Sequence, residues 1–204
     1  MGLEGGLSSM TAIVLAGGKA TRMGGRNKAF LKVDGKPIIE NLLDKFKGLF
    51  GDILIVANDP APFNQLPITN YQNTKIVSDI IPEKGPLGGI YTGLMTSRAK
   101  FNFVIACDMP FIDIGLIRYM YERADEYDVV VPKVDDRYEP LFAIYSKKCA
   151  QHIKRLIDEG ILRVRDFFPK VKVREILREE IACFIVPEKI FINLNKPEDV
   201  QRLS

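Results

Sequence analysis

Between Gly17 and Lys36 the chain carries six basic residues, Lys19, Arg22, Arg26, Lys28, Lys32 and Lys36, against one acid, Asp34. Four glycines, Gly17, Gly18, Gly24 and Gly25, are threaded through its first nine residues. Glycines let backbone N–H groups turn toward a common point and let an anion approach closely. Lys28 and Arg22 would add full positive charges there, with Lys19 and Arg26 able to do the same. Such a loop suits a ligand as anionic as a triphosphate. The alternative is a solvated basic loop. No G-x-x-x-x-G-K-[ST] and no G-x-G-x-x-G can be written across these residues, which excludes a P-loop and a dinucleotide fingerprint.

Asp108 is the sharpest acid. It directly follows the apolar run 103–107, and Pro110 stops that run from continuing as a strand. Mg2+ prefers a few carboxylates together with phosphate oxygens and water, so an acid facing a triphosphate loop is a natural ligand for it. A turn or helix-cap role is the competing reading. Phosphoryl and nucleotidyl transfer rest largely on positioning and electrostatics, so Lys28, Arg22 and Asp108 form a sufficient catalytic set without a histidine. Losing one such charge should raise the barrier by ~2–4 kcal/mol.

Four further features complete the candidate set. Gly85 lies in a Gly/Pro-rich stretch, 82–89, expected to be a loop that opens a helix, or simple helix-start punctuation. Asn58 and Asp79 each follow a short apolar run and are, taken singly, as well explained as turn formers. Asn193 sits on an expected final strand, 191–194. Asn195 begins an Asn-x-x-Glu capping box with Glu198.

The elements that must position these residues alternate. Short apolar runs at 12–16, 53–57, 75–77, 103–107, 129–131 and 141–145 read as buried strands. Helices are expected over 37–50, up to 98 after the Gly/Pro stretch, over 113–126 and over 147–159; the region 161–185 is less legible. Strands alternating with helices give an α/β, Rossmann-like, mostly parallel doubly wound sheet with helices on both faces. In such sheets ligands bind outside the carboxyl ends of the strands. The glycine loop, Asn58, Asp79 and Asp108 all follow strand ends, four polar features on one rim.

The 204 residues, 47% of them apolar, suit a single domain over 10–204. Residues 1–9 are small, polar and glycine-rich, and read as a disordered or added lead-in. A net charge of +3 is too small to argue for nucleic acid. His152 is the only histidine, so a His-based triad or multi-His zinc site is excluded. Cys107, Cys149 and Cys183 lack metal spacing and read as buried, reduced thiols of a cytoplasmic protein. No apolar run reaches the ~20 residues of a membrane helix.

Leu-Ala-Gly-Gly-x-x-x-Arg-Met-Gly at 15–24, with Lys28, resembles the signature of nucleotidyltransferases with a Rossmann-like fold. Gly-Pro-Leu-Gly-Gly-Ile at 85–90, Cys-Asp-Met-Pro-Phe at 107–111, Glu-Pro-Leu at 139–141 and Ile-Asn-Leu-Asn-Lys-Pro-Glu-Asp at 192–199 narrow the resemblance to the molybdenum cofactor guanylyltransferase family. That resemblance implies transfer of GMP from GTP to the phosphate of molybdopterin, with pyrophosphate released and Mg2+ bound. It implies nucleotide contacts from Leu15, Ala16, Gly17, Gly18, Lys28, Asn58 and Asp79, with Asp108 as the magnesium ligand. Asn27 departs from the family, which commonly carries Asp before the lysine. Asn193, Asn195 and the 135–139 loop are expected toward the acceptor. Partners beyond GTP and the pterin would be other proteins of the same biosynthesis; the chain is expected as a monomer or weak homo-oligomer.

Rivals within the same chemistry are a cytidylyltransferase for the same pterin and a transferase for a sugar or alditol phosphate. From another class, a non-catalytic nucleotide-binding module would keep the fold and lose the reaction. A P-loop GTPase switch is disfavoured by its missing motifs.

Overall fold

The computed structural model describes residues 6–17, 28–33, 35–67, 71, 73–194 and 199. In chain order the elements are β1 (Thr11–Leu15), β2 (Lys32–Val33), β3 (Lys36–Pro37), α1 (Ile38–Phe46), β4 (Asp52–Ala57), β5 (Thr74–Ser78), α2 (Gly85–Thr96), β6 (Phe101–Ala106), α3 (Ile114–Tyr121), β7 (Val129–Val134), β8 (Arg137–Tyr138), β9 (Phe142–Ser146), α4 (Cys149–Asp158), β10 (Val173–Leu177) and α5 (Arg178–Ile181). Short 3-10 turns cover Gly6–Ser9, Lys28–Phe30, Ala61–Gln65, Val164–Lys170 and Pro187–Phe191.

The main sheet runs β10-β7-β9-β6-β1-β4-β5, with β8 paired to β7. β1 is buried along its whole length and pairs in parallel with β4 on one side and β6 on the other. The chain moves outward from β1 through β4 to β5, then returns across to β6. The order therefore reverses between β1 and β6, and the carboxyl ends there form a crevice where such sheets bind ligands. β9 lies antiparallel between β6 and β7, and the two-residue β8 pairs antiparallel with β7. The amino end of β9 thus meets the carboxyl ends of its neighbours and brings residues 139–141 to the same rim.

Because alternate strand residues face opposite ways, β1 serves two cores. Ala12 and Val14 pack with Ile39, Leu42, Phe46, Leu116, Ile117 and Met120, on the face covered by α1 and α3. Ile13 and Leu15 pack with Leu87, Ile90, Leu94 and Ile153, on the face covered by α2 and α4. Helix α2 sits unusually close to the sheet. A Cβ at Gly93 would lie 2.5 Å from Ile13 Cγ2, and one at Gly89 would lie 2.9 Å from Leu15 Cδ2.

Several expectations need correction. Residues 6–9 are not a disordered lead-in: they form a turn whose Leu7 is only 2% exposed, packed into the core beside Met10. Helix α1 stops at Phe46, short of Phe50, because the backbone takes a positive φ at Gly48. Gly85 to Gly89 are the first turn of α2 and not a loop. Helix α3 ends at Tyr121 and not near 126. Residues 191–194 do not form a strand. The 3-10 turn Pro187–Phe191 runs into them, and one backbone bond, from Leu194 N to Asp108 O at 2.8 Å, ties the segment down. Cys183 is exposed, unlike Cys107 and Cys149.

Candidate active site

The rim between β1, β4 and β5 encloses a cavity of about 300 Å³ against the start of α2. Leu15, Gly17, Asn58, Asp79 and Gly85 all line it, joined by Val56, Glu83 and Pro86. Five of the residues singled out in the sequence therefore meet around one space. Four are placed by strand ends, and Gly85 by the first turn of α2. Ala16 N donates to Val56 O at 2.8 Å, which carries the β1–β4 ladder one residue further, and Ala16 is itself buried. Gly17 follows at a point where a Cβ would come 3.3 Å from Asn58 N and 3.6 Å from the Asn58 carboxamide. The missing side chain keeps the two strand ends close and the cavity open.

Asp79 is held from two sides. Its Oδ1 accepts from Thr92 Oγ1 at 2.6 Å and from Ile81 N at 3.1 Å, while Ile80 N donates to Thr92 Oγ1 at 2.9 Å. Its Oδ2 lies 3.1 Å from the position of a Cβ on Gly88. Asp79 thus fastens the β5 end to α2 while facing the cavity; the turn-forming and site roles coexist.

On the other side of β1, Lys28 and Asp108 form a pair. Lys28 Nζ lies 3.4 Å from Asp108 Oδ2, with the side chains 36% and 17% exposed. Cys107 N donates to Leu15 O at 3.0 Å, fixing Asp108 one residue beyond the β1 end. Leu194 N closes on the Asp108 carbonyl, which brings neighbouring Asn193 to this rim. Gly18, Arg22 and Asn195 lie outside the described residues, as do Lys19, Gly24, Gly25, Arg26 and Asn27.

Two further features complete the rim: Glu139, which the sequence marks in its Glu-Pro-Leu motif, and a second cavity that the sequence does not signal. Glu139 stands at the amino end of β9, where its Oε1 accepts from Leu141 N at 3.1 Å. Burial pushes its carboxyl up to about 7, the nearby charge of Asp108 pushes the same way, and Arg137 acts against both. A second cavity of about 410 Å³ is lined by Arg137, Tyr138, Arg163 and Arg165, and shares Pro86 and Leu162 with the first. Arg163 and Arg165 fall in the stretch where no periodicity was legible. Their spacing, Arg-x-Arg after an apolar pair, was the available clue.

The Asp108 carboxylate, beside Lys28 at the rim, is a fit for Mg2+. Its chemistry is that of a single oxygen donor, and such an ion takes phosphate oxygens and water to complete its shell. Among the described residues no group of three or more His, Cys, Asp or Glu is gathered as a self-sufficient cage. No helix among them is long and apolar enough to cross a membrane.

Residues 12–174 match the family described as the MobA-like NTP transferase domain. The chain belongs to that family. A protein named molybdenum cofactor guanylyltransferase from Desulfosudis oleivorans is 32% identical over 198 residues, covering 96% of this chain and 95% of its own length. A probable molybdenum cofactor guanylyltransferase from Natranaerobius thermophilus is 34% identical over 200 residues, with 95% and 94% covered. The crystal structure of molybdopterin-guanine dinucleotide biosynthesis protein A from Archaeoglobus fulgidus superposes with a TM-score of 0.78 at 27% identity, covering 95% of this chain and 96% of that one. The mostly parallel, Rossmann-like sheet expected from the strand–helix alternation is the fold observed, with β9 running antiparallel within it.

Proposed function

We propose that this MobA-like protein transfers GMP from GTP to the phosphate of a molybdopterin-type cofactor and releases pyrophosphate. The reading rests on one observation above others. The Lys28–Asp108 pair stands at the strand-order reversal, next to a cavity sized for a base and sugar. Its family and the names of its relatives support the choice of nucleotide and acceptor.

The charge layout orients the nucleotide. Asp79 and Glu83 make the far end of the cavity acidic, which disfavours a triphosphate there. The phosphates are directed to the opposite end, toward Lys28 and the basic loop that follows Gly17. Residues Leu15, Ala16, Gly17, Asn58 and Gly85 hold the nucleoside portion through backbone groups and the Asn58 amide. Arg22 and Gly18 are assigned to the phosphates with Lys28, and Asn193 and Asn195 to the acceptor side. The arginine-lined cavity opens beside the first and suits an anionic, ring-bearing acceptor, with Arg137, Arg163 and Arg165 to meet its phosphate and Tyr138 to meet its ring.

The acceptor phosphate is already ionised near neutral pH and needs no general base. The obstacle is repulsion between two anions. Lys28 offsets charge as the new P–O bond forms and the bond to pyrophosphate breaks, and electrostatic preorganisation of this kind supplies most of the acceleration in such transfers. Asp108 would hold Mg2+, which when bound supplies further positive charge at the phosphates. With the acceptor in the arginine-lined cavity and pyrophosphate leaving toward Lys28, attack on the α-phosphorus is in line.

Incubation with α-labelled GTP, Mg2+ and molybdopterin tests the reading. Label should appear in a pterin dinucleotide, with CTP giving far less. Label transferred from CTP in preference to GTP would reassign the base, and no transfer from either would remove the activity.

A further inference from the structure

We propose that Glu83 selects guanine, its carboxylate accepting hydrogen bonds from the N1–H and 2-amino group of the bound base. The inference rests on the reading that GTP occupies the cavity, and it names a specificity residue that neither spacing nor resemblance had marked. Two acids face the acidic end of that cavity, Asp79 and Glu83. Asp79 is already committed, one oxygen to Thr92 Oγ1 and Ile81 N and the other packed toward Gly88. Glu83 takes no hydrogen bond or ion pair among the described residues, and its side chain is exposed at the cavity mouth.

The backbone supplies a second argument. Glu83 has φ +65°, the left-handed region that favours glycine, and it follows Pro82. Proline followed by a positive φ is the pattern of a type II turn, whose third residue is ordinarily glycine or asparagine. A glutamate at that point costs strain that a glycine would avoid, and strained conformations of this kind gather at functional sites. Pro82 fixes the approach to the turn, so the carboxylate is presented on a stiff support.

The chemistry of the bases sets the selectivity. Guanine offers two adjacent donors, N1–H and the 2-amino group, which match the two oxygens of a carboxylate. Cytosine offers N3 and O2 at the corresponding edge, both acceptors, and these would be repelled. Inosine keeps N1–H and lacks the 2-amino group, so it isolates one of the two bonds. A site built to bond a polar group rejects analogues lacking it more strongly than a pocket that only fits their shape.

Equilibrium binding of GTP, ITP and CTP with Mg2+ to the full chain and to E83Q and E83G tests this. The wild type should bind GTP about tenfold or more tightly than ITP, the size expected of one charge-assisted bond, and CTP more weakly again. Both variants should lose most of the GTP-over-ITP ratio. E83G should melt no lower than the wild type, because glycine suits the backbone there, which separates recognition from folding. Unchanged GTP/ITP and GTP/CTP ratios in both variants, with GTP still bound, would overturn the role of Glu83 and leave the proposed activity standing. A wild type that binds no GTP would instead overturn the activity on which the inference rests.

Discussion

Lys28 Nζ and Asp108 Oδ2 lie 3.4 Å apart although eighty residues separate them in the chain. The pair bridges the mouth of the crevice where the strand order reverses. Partly exposed ion pairs of this kind contribute ~0–1 kcal/mol to folding. The pair is therefore poorly explained as a stabilising device and well explained as a site. K28M and D108N should each lower kcat for nucleotidyl transfer by about 10²–10³-fold, the range seen when one transition-state donor is removed. Melting temperatures should move little. A large fall in stability with activity per folded molecule preserved would show the pair to be structural.

Helix α2 lies against β1 because Gly93 has no side chain. G93A would place a methyl group 2.5 Å from Ile13 Cγ2, inside contact distance. Overpacking in a tight interior costs about 1–3 kcal/mol. Denaturant unfolding should show that loss. GTP affinity should fall with it, since pushing α2 outward shifts Gly85 and Pro86, which line the cavity proposed for the nucleotide.

Glu139 makes stability depend on pH. Its carboxyl is held at about 7 against an ordinary 4.5, by burial first. The folded chain therefore binds more protons than the unfolded chain between those two values. Stability contributed by the neutral form is present below about 4.5 and is lost as pH rises through about 7, by an amount of up to ~3 kcal/mol. E139Q should remove that slope and be the more stable protein at pH 8. Parallel stability–pH profiles for wild type and E139Q would contradict the assignment.

The three thiols should separate by access. Cys149 is pushed up to about 12 by burial, and Cys107 further still, whereas Cys183 is exposed. Mass spectrometry after brief alkylation of the native chain should find one modified cysteine, Cys183. All three should react in denaturant.

Much of the scaffold was readable because buried parallel strands leave continuous apolar runs. The run at 103–107 announced β6 and put Asp108 at its end; the runs at 53–57 and 75–77 did the same for Asn58 and Asp79. Strand direction leaves no such trace, so β9 gave no sign that it runs antiparallel, and Glu139 was expected near the acceptor only from the motif resemblance. Gly85 to Gly89 looked like a loop because glycine and proline break helices on average. Tight packing of Gly89 on Leu15 offsets that tendency here. Cys183 was misplaced because cysteine is usually buried, and nothing local marks the exception. Glu83 escaped notice since its distinction is a backbone angle, and the arginines at 163 and 165 since a 3-10 segment has no long period to read.

A crystal structure of the chain with GTP and Mg2+ bears most directly on the central claim. The guanosine is expected in the cavity bounded by Leu15, Asn58, Asp79 and Gly85, with the triphosphate reaching Lys28 and the metal on Asp108. Nucleotide bound at any other surface, with that cavity vacant, would contradict the account.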